Sequence, residues 1–401
     1  MATELTQLIQ AKLDEATTRY VARNPRSKAL YEEAIKSMPG GNTRTVLYAS
    51  PFPIVIKSGK GYQVTSEDGH TQVLSRPCIL DVRVYCSSLW AFQPHHPLSH
   101  KGPQEQIFAR EICQRFSIEQ VRFANSGTEA NLHALAAARA FTKKRKIVTF
   151  SGGYHGAVIG FKGGKPEDNN VDMDDWIVAR YNDLESARNA IASEGVAAVL
   201  VEGMQGSGGG LPGNPEFLKG IQEAAAKANT FGKWLGGGLA FGAFGGRADI
   251  MAAFDPRRPG ALAHSGTFNN NTLVTHAGYA GLSKIYTPEV AVQFTNKGDE
   301  LRNKLNEVTK GTRVVFTGLG TIMGVHFPKN GTRVFERSGE VEEIDALRDL
   351  FWLEMMEEGF WLVRRGFIAL VLETPTSEFD RFVECVQVWL SRHADIVNCT
   401  P

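Results

Sequence analysis

Cysteine is scarce in this chain: five scattered residues, Cys78, Cys86, Cys113, Cys385 and Cys399, with no CxxC pair among them. The odd count and the missing pair spacing argue against a disulfide framework or a zinc site and for a reducing compartment. Neither sign of charge is in surplus, since the formal net charge is +1. That removes the basic excess of a nucleic-acid binder or a membrane-surface protein. No run approaches the roughly 18 uninterrupted apolar residues of a membrane span. The first residues, "MATELTQLIQAKLDEATTRYV", mix both charges and lack the apolar centre of a secretory signal, and the last, "VNCTP", match no prenylation or retrieval signal. Internal repeats and low-complexity tracts are missing as well. These absences predict a cytoplasmic protein with no nucleic-acid partner, no membrane and no metal. The cluster His95, His96 and His100 is the one stretch that suggests a metal, and it sits in a Pro- and Cys-bearing run without periodicity.

What is present supports a substantial core. Of 401 residues, 42% are hydrophobic and 22% charged, which excludes global disorder. Residues 1–40 read as helical up to the turn cluster "MPGGN", and the following stretch to residue 70 as short strands with tight turns. From about residue 105 helical and strand patterns alternate. "EQIFAREICQRF" carries one apolar helical face, "KIVTF" (146–150) and "VAAVLVE" (196–202) suit buried parallel strands, and "DLESARNAIASEG" between them is a helix with a glycine stop. This order predicts an α/β domain with a mostly parallel sheet. Past residue 295 come a hairpin ("RVVFTGLGTIMGVHF"), a helix ("VEEIDALRDLFWLEMMEEG"), a strand ("FWLVRRGFIALVL") and a final helix, the pattern of a smaller α+β domain. The resulting division is an N-terminal helix and strand segment over 1–74, a large domain over 75–295 and a small domain over 296–401.

Four places in the large domain have the residue types for chemistry, and each admits a plain structural reading. In "VRFANSGTEANLHALAAARAF" (121–141) a strand runs into a helix whose start carries the capping box Ser126 and Glu129. Free amides, the Ser126 and Thr128 hydroxyls and the helix dipole suit a phosphate there, although an ordinary capped helix looks the same. In "VTFSGGYHGAVIG" a glycine loop presents Tyr154 and His155 at a strand's carboxyl end, where a ring can stack on a flat ligand or simply pack on its own domain. Glu202 ends the strand "VAAVLVE" and either orients a polar group or caps a neighbouring helix. Lys233, in "NTFGKWLGGGLAFGAFGGR", sits among glycines. It is a solvated lysine, or it is an amine beside a ligand that the backbone must approach closely; to react it must lose its proton, through burial or a nearby cation.

Taken in order, "NSGTEAN" (125–131), "SGGYHG" (151–156), "EGMQG" (202–206), "TFGKWLGGG" (230–238), "FGAFGGR" (241–247) and "HSGTFNNN" (264–271) resemble the class III (ω-type) aminotransferases of fold type I, which use pyridoxal 5'-phosphate. Within the family the chain is most similar to the β-phenylalanine aminotransferase type, with glutamate-1-semialdehyde aminomutases as close cousins. The resemblance implies that Lys233 condenses with the cofactor aldehyde and later carries the proton between substrate carbon and cofactor. It implies that Ser126, Gly127 and Thr128 hold the phosphate, and that Thr267 reaches the same phosphate from a second subunit of a homodimer. Tyr154 would stack on the pyridine ring with His155 beside it, and Glu202 would belong to the same cofactor site. Arg44, in "NTRTVLY", matches the arginine that takes the substrate carboxylate, and Arg365, in "RRGFIAL", the one that takes the second carboxylate of the acceptor 2-oxoglutarate. A planar guanidinium suits both tasks. The implied function is transfer of an amino group between a β- or ω-amino acid, aromatic ones included, and a keto acid. The alternatives are a glutamate-1-semialdehyde-type aminomutase and an inactive family member.

Two stretches depart from the family pattern. Residues 71–104 do not resemble it. Residues 203–233 contain no aspartate, where the family has a strand ending Asp-Glu whose aspartate keeps the pyridine nitrogen protonated. "AAAKANTFGK" reads as running from a helix straight to the lysine, with a strand and its loops absent. The reading therefore predicts an impaired catalyst.

Overall fold

The structure, a computed structural model, describes residues 2–43, 48–74, 103–224 and 228–399, with only the backbone given for 2, 3, 74 and 228–234. Arg44, the histidine cluster and most of the divergent 71–104 stretch lie outside these residues. The chain divides into two compact units. One comprises residues 1–79, 294–335 and 340–401, and the other residues 80–293 and 336–339.

The first unit opens with helices α1 (Ala2–Arg23) and α2 (Pro25–Ala34). The helical stretch read from the sequence breaks at Asn24, because a proline follows and pre-sets a new first turn. Strands β1 (Ile56–Lys60), β2 (Gln63–Ser66) and β3 (Thr71–Leu74) form an antiparallel meander.

The second unit carries the alternating segment. Helix α3 (Pro103–Phe116) leads to β4 (Gln120–Ala124), α4 (Gly127–Thr142), β5 (Lys146–Phe150), β6 (Trp176–Ala179), α5 (Leu184–Ile191) and β7 (Val196–Val199). A two-residue ribbon follows, β8 (Met204–Gln205) with β9 (Leu211–Pro212), and then α6 (Pro215–Ala224). Next come β10 (Ala228–Gly232), β11 (Gly242–Gly246) and α7 (Thr272–Ala280). Strands β6, β5 and β7 make a parallel sheet, as the apolar runs predict, and its β5 residues Ile147, Val148 and Phe150 are at most 1% exposed. Strands β10, β11 and β4 make a second, antiparallel sheet.

That second sheet corrects the sequence reading in two places. Residues 228–232 are a strand, so the chain does not run from helix to lysine directly. Strand β11, all of it buried, is "GAFGG", a composition that disfavours strands and so hides one. It forms because its glycines let flanking backbones come close. A Cβ built on Gly242 would lie 2.1 Å from the carbonyl oxygen of Ser126.

The rest of the first unit follows helix α8 (Pro288–Val308), inside which the boundary between units falls. The hairpin forms as read, β12 (Val315–Leu319) with β13 (Ile322–His326). Helix α9 (Asp345–Glu357) precedes β14 (Phe360–Trp361), which joins β3 in parallel, and β15 (Phe367–Ala369), which joins β13. The single strand read in "FWLVRRGFIALVL" is thus two short ones. Gly366 turns the chain at φ +84°, and Arg364 is pinned to Asp349 by two hydrogen bonds of 2.8 and 2.5 Å. Helix α10 (Thr376–Arg392) closes the unit. Among the described residues no helix is long and apolar enough to cross a membrane.

Candidate active site

The site grows from the carboxyl ends of β4 and β10. Strands β4, β11 and β10 alternate in direction, so β4 and β10 run the same way and end at the same edge. Across that edge Gly232 pairs with Gly242, and Gly242 with Ala124. Two strand spacings of about 4.8 Å separate the ends. The chain leaves β4 into the Ser126 turn and leaves β10 into Lys233. The backbone thereby brings the lysine and the phosphate-type turn to within about 10 Å of each other; the Lys233 side chain itself is outside the described part.

At the turn, Ser126 is extended and its hydroxyl oxygen accepts a hydrogen bond from the Glu129 amide at 3.2 Å. The capping box is displaced by one residue on its return arm: the Glu129 carboxylate accepts from the Asn125 amide at 3.0 Å, not from that of Ser126. Gly127 and Thr128 occupy the first turn of α4, whose amides an α-helix leaves without intrahelical partners. The Thr128 hydroxyl has a second task, accepting from the Ala157 amide at 3.1 Å and so tying the aromatic loop to α4. Asn125 donates to the Asn269 side chain at 2.8 Å, and Asn269 contacts His264 at 3.1 Å. The loop that bears exposed Thr267 is therefore fastened to the turn of its own chain.

The aromatic loop is held by Glu202. One carboxylate oxygen accepts from the Tyr154 amide at 2.9 Å and the other from Gly206 at 3.3 Å. The Glu202 carbonyl accepts from the Tyr181 hydroxyl at 3.0 Å. Glu202 thus fastens "SGGYHG" to "EGMQG". Gln205, 1% exposed, helps by donating to the Ser151 carbonyl at 2.9 Å; nothing in its sequence surroundings signalled this role. Tyr154 is 43% exposed, which leaves its ring open to a flat ligand. His155 points the other way. It is buried, with Nε2 3.4 Å from the Thr149 hydroxyl, and its carbonyl accepts from Asn131. Burial lowers its pKa to about 4.

That depression has a sign that can be tested. The unfolded imidazole takes up its proton near about pH 6.5, and the folded one resists until about 4. Between those values the unfolded state binds more protons, so stability falls as pH drops. The unfolding midpoint is expected to decline from pH 7 to pH 5, and to decline less in His155→Gln. Equal slopes in the two proteins would refute the assignment.

The glycines after Lys233 are explained by packing. Lys233–Gly236 form a single helical turn. Leu235 anchors it in the core at 2% exposure, and Gly237 leaves it at φ +62° with its Cα against Ala277. Across the contact, a Cβ on Gly278 would sit 2.4 Å from the Leu235 carbonyl oxygen and 2.4 Å from the Phe108 ring. Gly278→Ala is expected to push the lysine's turn off α7 and to cost about 1–3 kcal/mol, read as a lower unfolding midpoint together with weaker cofactor retention on dialysis.

In the other unit Arg365 is exposed, with its guanidinium 5.7 Å from the Phe367 ring centre. Of the adjacent pair, Arg364 holds the turn through Asp349 and Arg365 faces outward.

The residues present fit pyridoxal phosphate at two points. The Ser126–Thr128 turn offers amides and a helix N-terminus to the phosphate, and the lysine leaves the sheet at the same edge. At the ring nitrogen the fit fails, because no aspartate lies between Glu202 and Lys233 and the Glu202 carboxylate is committed to Tyr154 and Gly206.

Comparison with known proteins agrees with this geometry. The family profile "Aminotransferase class-III" matches residues 95–231 and 228–372, two pieces that meet just before the lysine. An uncharacterized aminotransferase of Schizosaccharomyces pombe is 40% identical over 99% of this chain and 99% of its own length. That alignment runs over 441 positions against 401 residues here, so the relative carries stretches with no counterpart in this chain. The β-phenylalanine transaminase of Variovorax paradoxus is 39% identical over 97% of this chain and 98% of its own. The solved structure of the β-phenylalanine aminotransferase from that organism superposes with a TM-score of 0.92 at 38% identity, covering 98% of this chain and all of the other. The chain belongs to the class III aminotransferases, pyridoxal-phosphate enzymes of fold type I.

Proposed function

We propose that this aminotransferase takes its amino group from a β- or ω-amino acid, aromatic ones included, and delivers it to a keto acid such as 2-oxoglutarate. The observation that carries the reading is the ladder Gly232–Gly242–Ala124, which sets the amine-bearing turn beside the phosphate turn. The likeness to a protein named β-phenylalanine transaminase supports the donor class. In this reading Ser126, Gly127 and Thr128 bind the phosphate. Thr267 of a second copy completes the grip in a cytoplasmic homodimer. Tyr154 covers the cofactor ring, and Glu202 with His155 holds the loop that positions it. Arg44 takes the donor's carboxylate and Arg365 the second carboxylate of the acceptor. Lys233 removes the proton from the substrate carbon and returns it on the cofactor side. The bound cofactor supplies the electron sink that makes that carbon acidic.

With no aspartate to keep the ring nitrogen protonated, the sink is weak. Losing one preorganised electrostatic group commonly lowers turnover by about 100-fold or more. The test is glutamate formation from β-phenylalanine and 2-oxoglutarate by the purified, cofactor-loaded chain. Slow but measurable turnover is expected, with Arg365→Ala raising the KM for 2-oxoglutarate and leaving that for the amino donor unchanged. Failure to take up the cofactor at all would reject the reading, and turnover as fast as that of the Variovorax relative would reject the impairment.

A further inference from the structure

The second unit holds a cleft of about 380 Å³ beside the edge strand β4. Glu105 of α3, Arg122 of β4, and His264, Asn269 and Asn270 of the loop ahead of α7 line it. Ser126, Gly127 and Thr128 are not among its lining residues.

The hydrogen-bond chain in its wall has one end of fixed polarity. The Glu129 carboxylate can only accept, and it faces the backbone and side-chain nitrogens of Asn125 at 3.0 and 3.4 Å. Asn125 therefore gives its side-chain NH2 to the Asn269 oxygen at 2.8 Å. That turns the Asn269 NH2 toward Nε2 of His264 at 3.1 Å, where Nε2 accepts. Burial, aided by His133 and Arg122, lowers the His264 pKa to about 4. The ring is thus neutral at pH 7, and its one proton sits on Nδ1. Facing Nδ1 at 3.3 Å is Nη1 of Arg122, which is also a donor. Two N–H groups meet there, and neither satisfies the other.

Arg122 also carries a charge without a bonded counter-ion. Its Nη2 donates to the Phe254 carbonyl at 2.9 Å. Among the described residues no carboxylate hydrogen-bonds it. Burial lowers its pKa against the through-space pull of Asp255 and Glu105, and Asp255 is taken up by Arg257. A guanidinium beside an imidazole N–H is a two-donor seat for a carboxylate. Glu105, which has no ion pair among the described residues, offers the same cleft a place for a cation.

We propose that this cleft is a second amino-acid site, separate from the catalytic centre. Arg122 and the Nδ1–H of His264 take the carboxylate, and Glu105 takes the ammonium. One small zwitterion satisfies all three groups, whereas a simple anion would be repelled by Glu105. Asn269 bonds Asn125, the residue before Ser126, so the occupant bears on the cofactor turn without touching it. The inference rests on this bond polarity and not on the donor and acceptor assigned above.

The test is calorimetric titration of the purified chain with phenylalanine. The matched probes are 3-phenylpropionate, which lacks the amine, and phenethylamine, which lacks the carboxylate. Phenylalanine is expected to bind more tightly than either. Arg122→Gln is expected to weaken phenylalanine and 3-phenylpropionate by about 10-fold or more, the worth of one charge-assisted hydrogen bond. Glu105→Gln, a change in the half-buried first turn of α3, is expected to weaken phenylalanine but not 3-phenylpropionate, and it decides the matter if Arg122→Gln does not fold. Arg44→Ala is expected to leave the binding in place. No binding at millimolar phenylalanine overturns the proposal, and so does 3-phenylpropionate binding as tightly as phenylalanine. Binding that Arg44→Ala abolishes belongs to the catalytic centre and overturns it too. Binding that weakens as protein concentration rises gives the cleft to a second copy and overturns it equally.

Discussion

Lys233→Ala is expected to abolish the visible band of the cofactor-loaded protein and to lower transamination by about 10³-fold. The magnitude follows from the amine's two tasks. A positioned general acid–base contributes about 10²–10⁴-fold, and the covalent link through the same nitrogen is lost with it. The glycines that follow the turn Lys233–Gly236 offer no side chain to take its place. The phosphate turn at Ser126 is untouched by the substitution, so the variant should still retain some cofactor noncovalently. Borohydride reduction followed by peptide mass analysis separates the cases. The parent should carry the cofactor mass on the peptide containing residue 233, and the variant should carry it nowhere. A variant that keeps the band would remove the central claim about this amine.

Glu354→Ala is expected to destabilise the first unit by about 3 kcal/mol, or on the order of 10 °C in Tm for a unit of this size. Glu354, 4% exposed, accepts from Arg19 of α1 at 2.7 Å and meets His393, just past α10, at 2.6 Å. Its loss leaves His393, also 4% exposed, buried without that acceptor. Arg19 stands half in water and can be re-solvated, which keeps the effect near the lower end for a broken buried pair. Burial alone would push the Glu354 carboxyl up, but the bonds to His393 and Arg19 outweigh it and hold the pKa below its ordinary value. The stabilisation is therefore complete above about pH 4.3 and is lost as pH falls through the lower folded value. Thermal melts at pH 7 and pH 3.5 check this: the gap between parent and variant should be wide at pH 7 and should narrow at pH 3.5.

Reading the sequence succeeded where the signal is short-range. The Ser126 cap, the apolar strands Lys146–Phe150 and Val196–Val199 and the hairpin Val315–His326 are each set by neighbours a few residues apart. It failed where glycine composition masks a strand, as in β11, and where one positive-φ glycine and one ion pair split a strand, as at Gly366 and Arg364. It placed Tyr154 on the cofactor ring with His155 beside it. Only the fold turns one outward and buries the other beside Thr149.

By itself the sequence determined that a capped phosphate-type turn, an aromatic loop and a glycine-flanked lysine follow one another on alternating strands and helices, because capping, periodicity and turn chemistry are local. Only the tertiary structure decided that Gly232, Gly242 and Ala124 lie side by side, and that the Glu202 carboxylate serves the loop backbone at Tyr154 and Gly206. Those outcomes depend on strand pairing between residues far apart in the chain, where hydrogen-bond partners are chosen by close approach and burial and not by any neighbour in sequence.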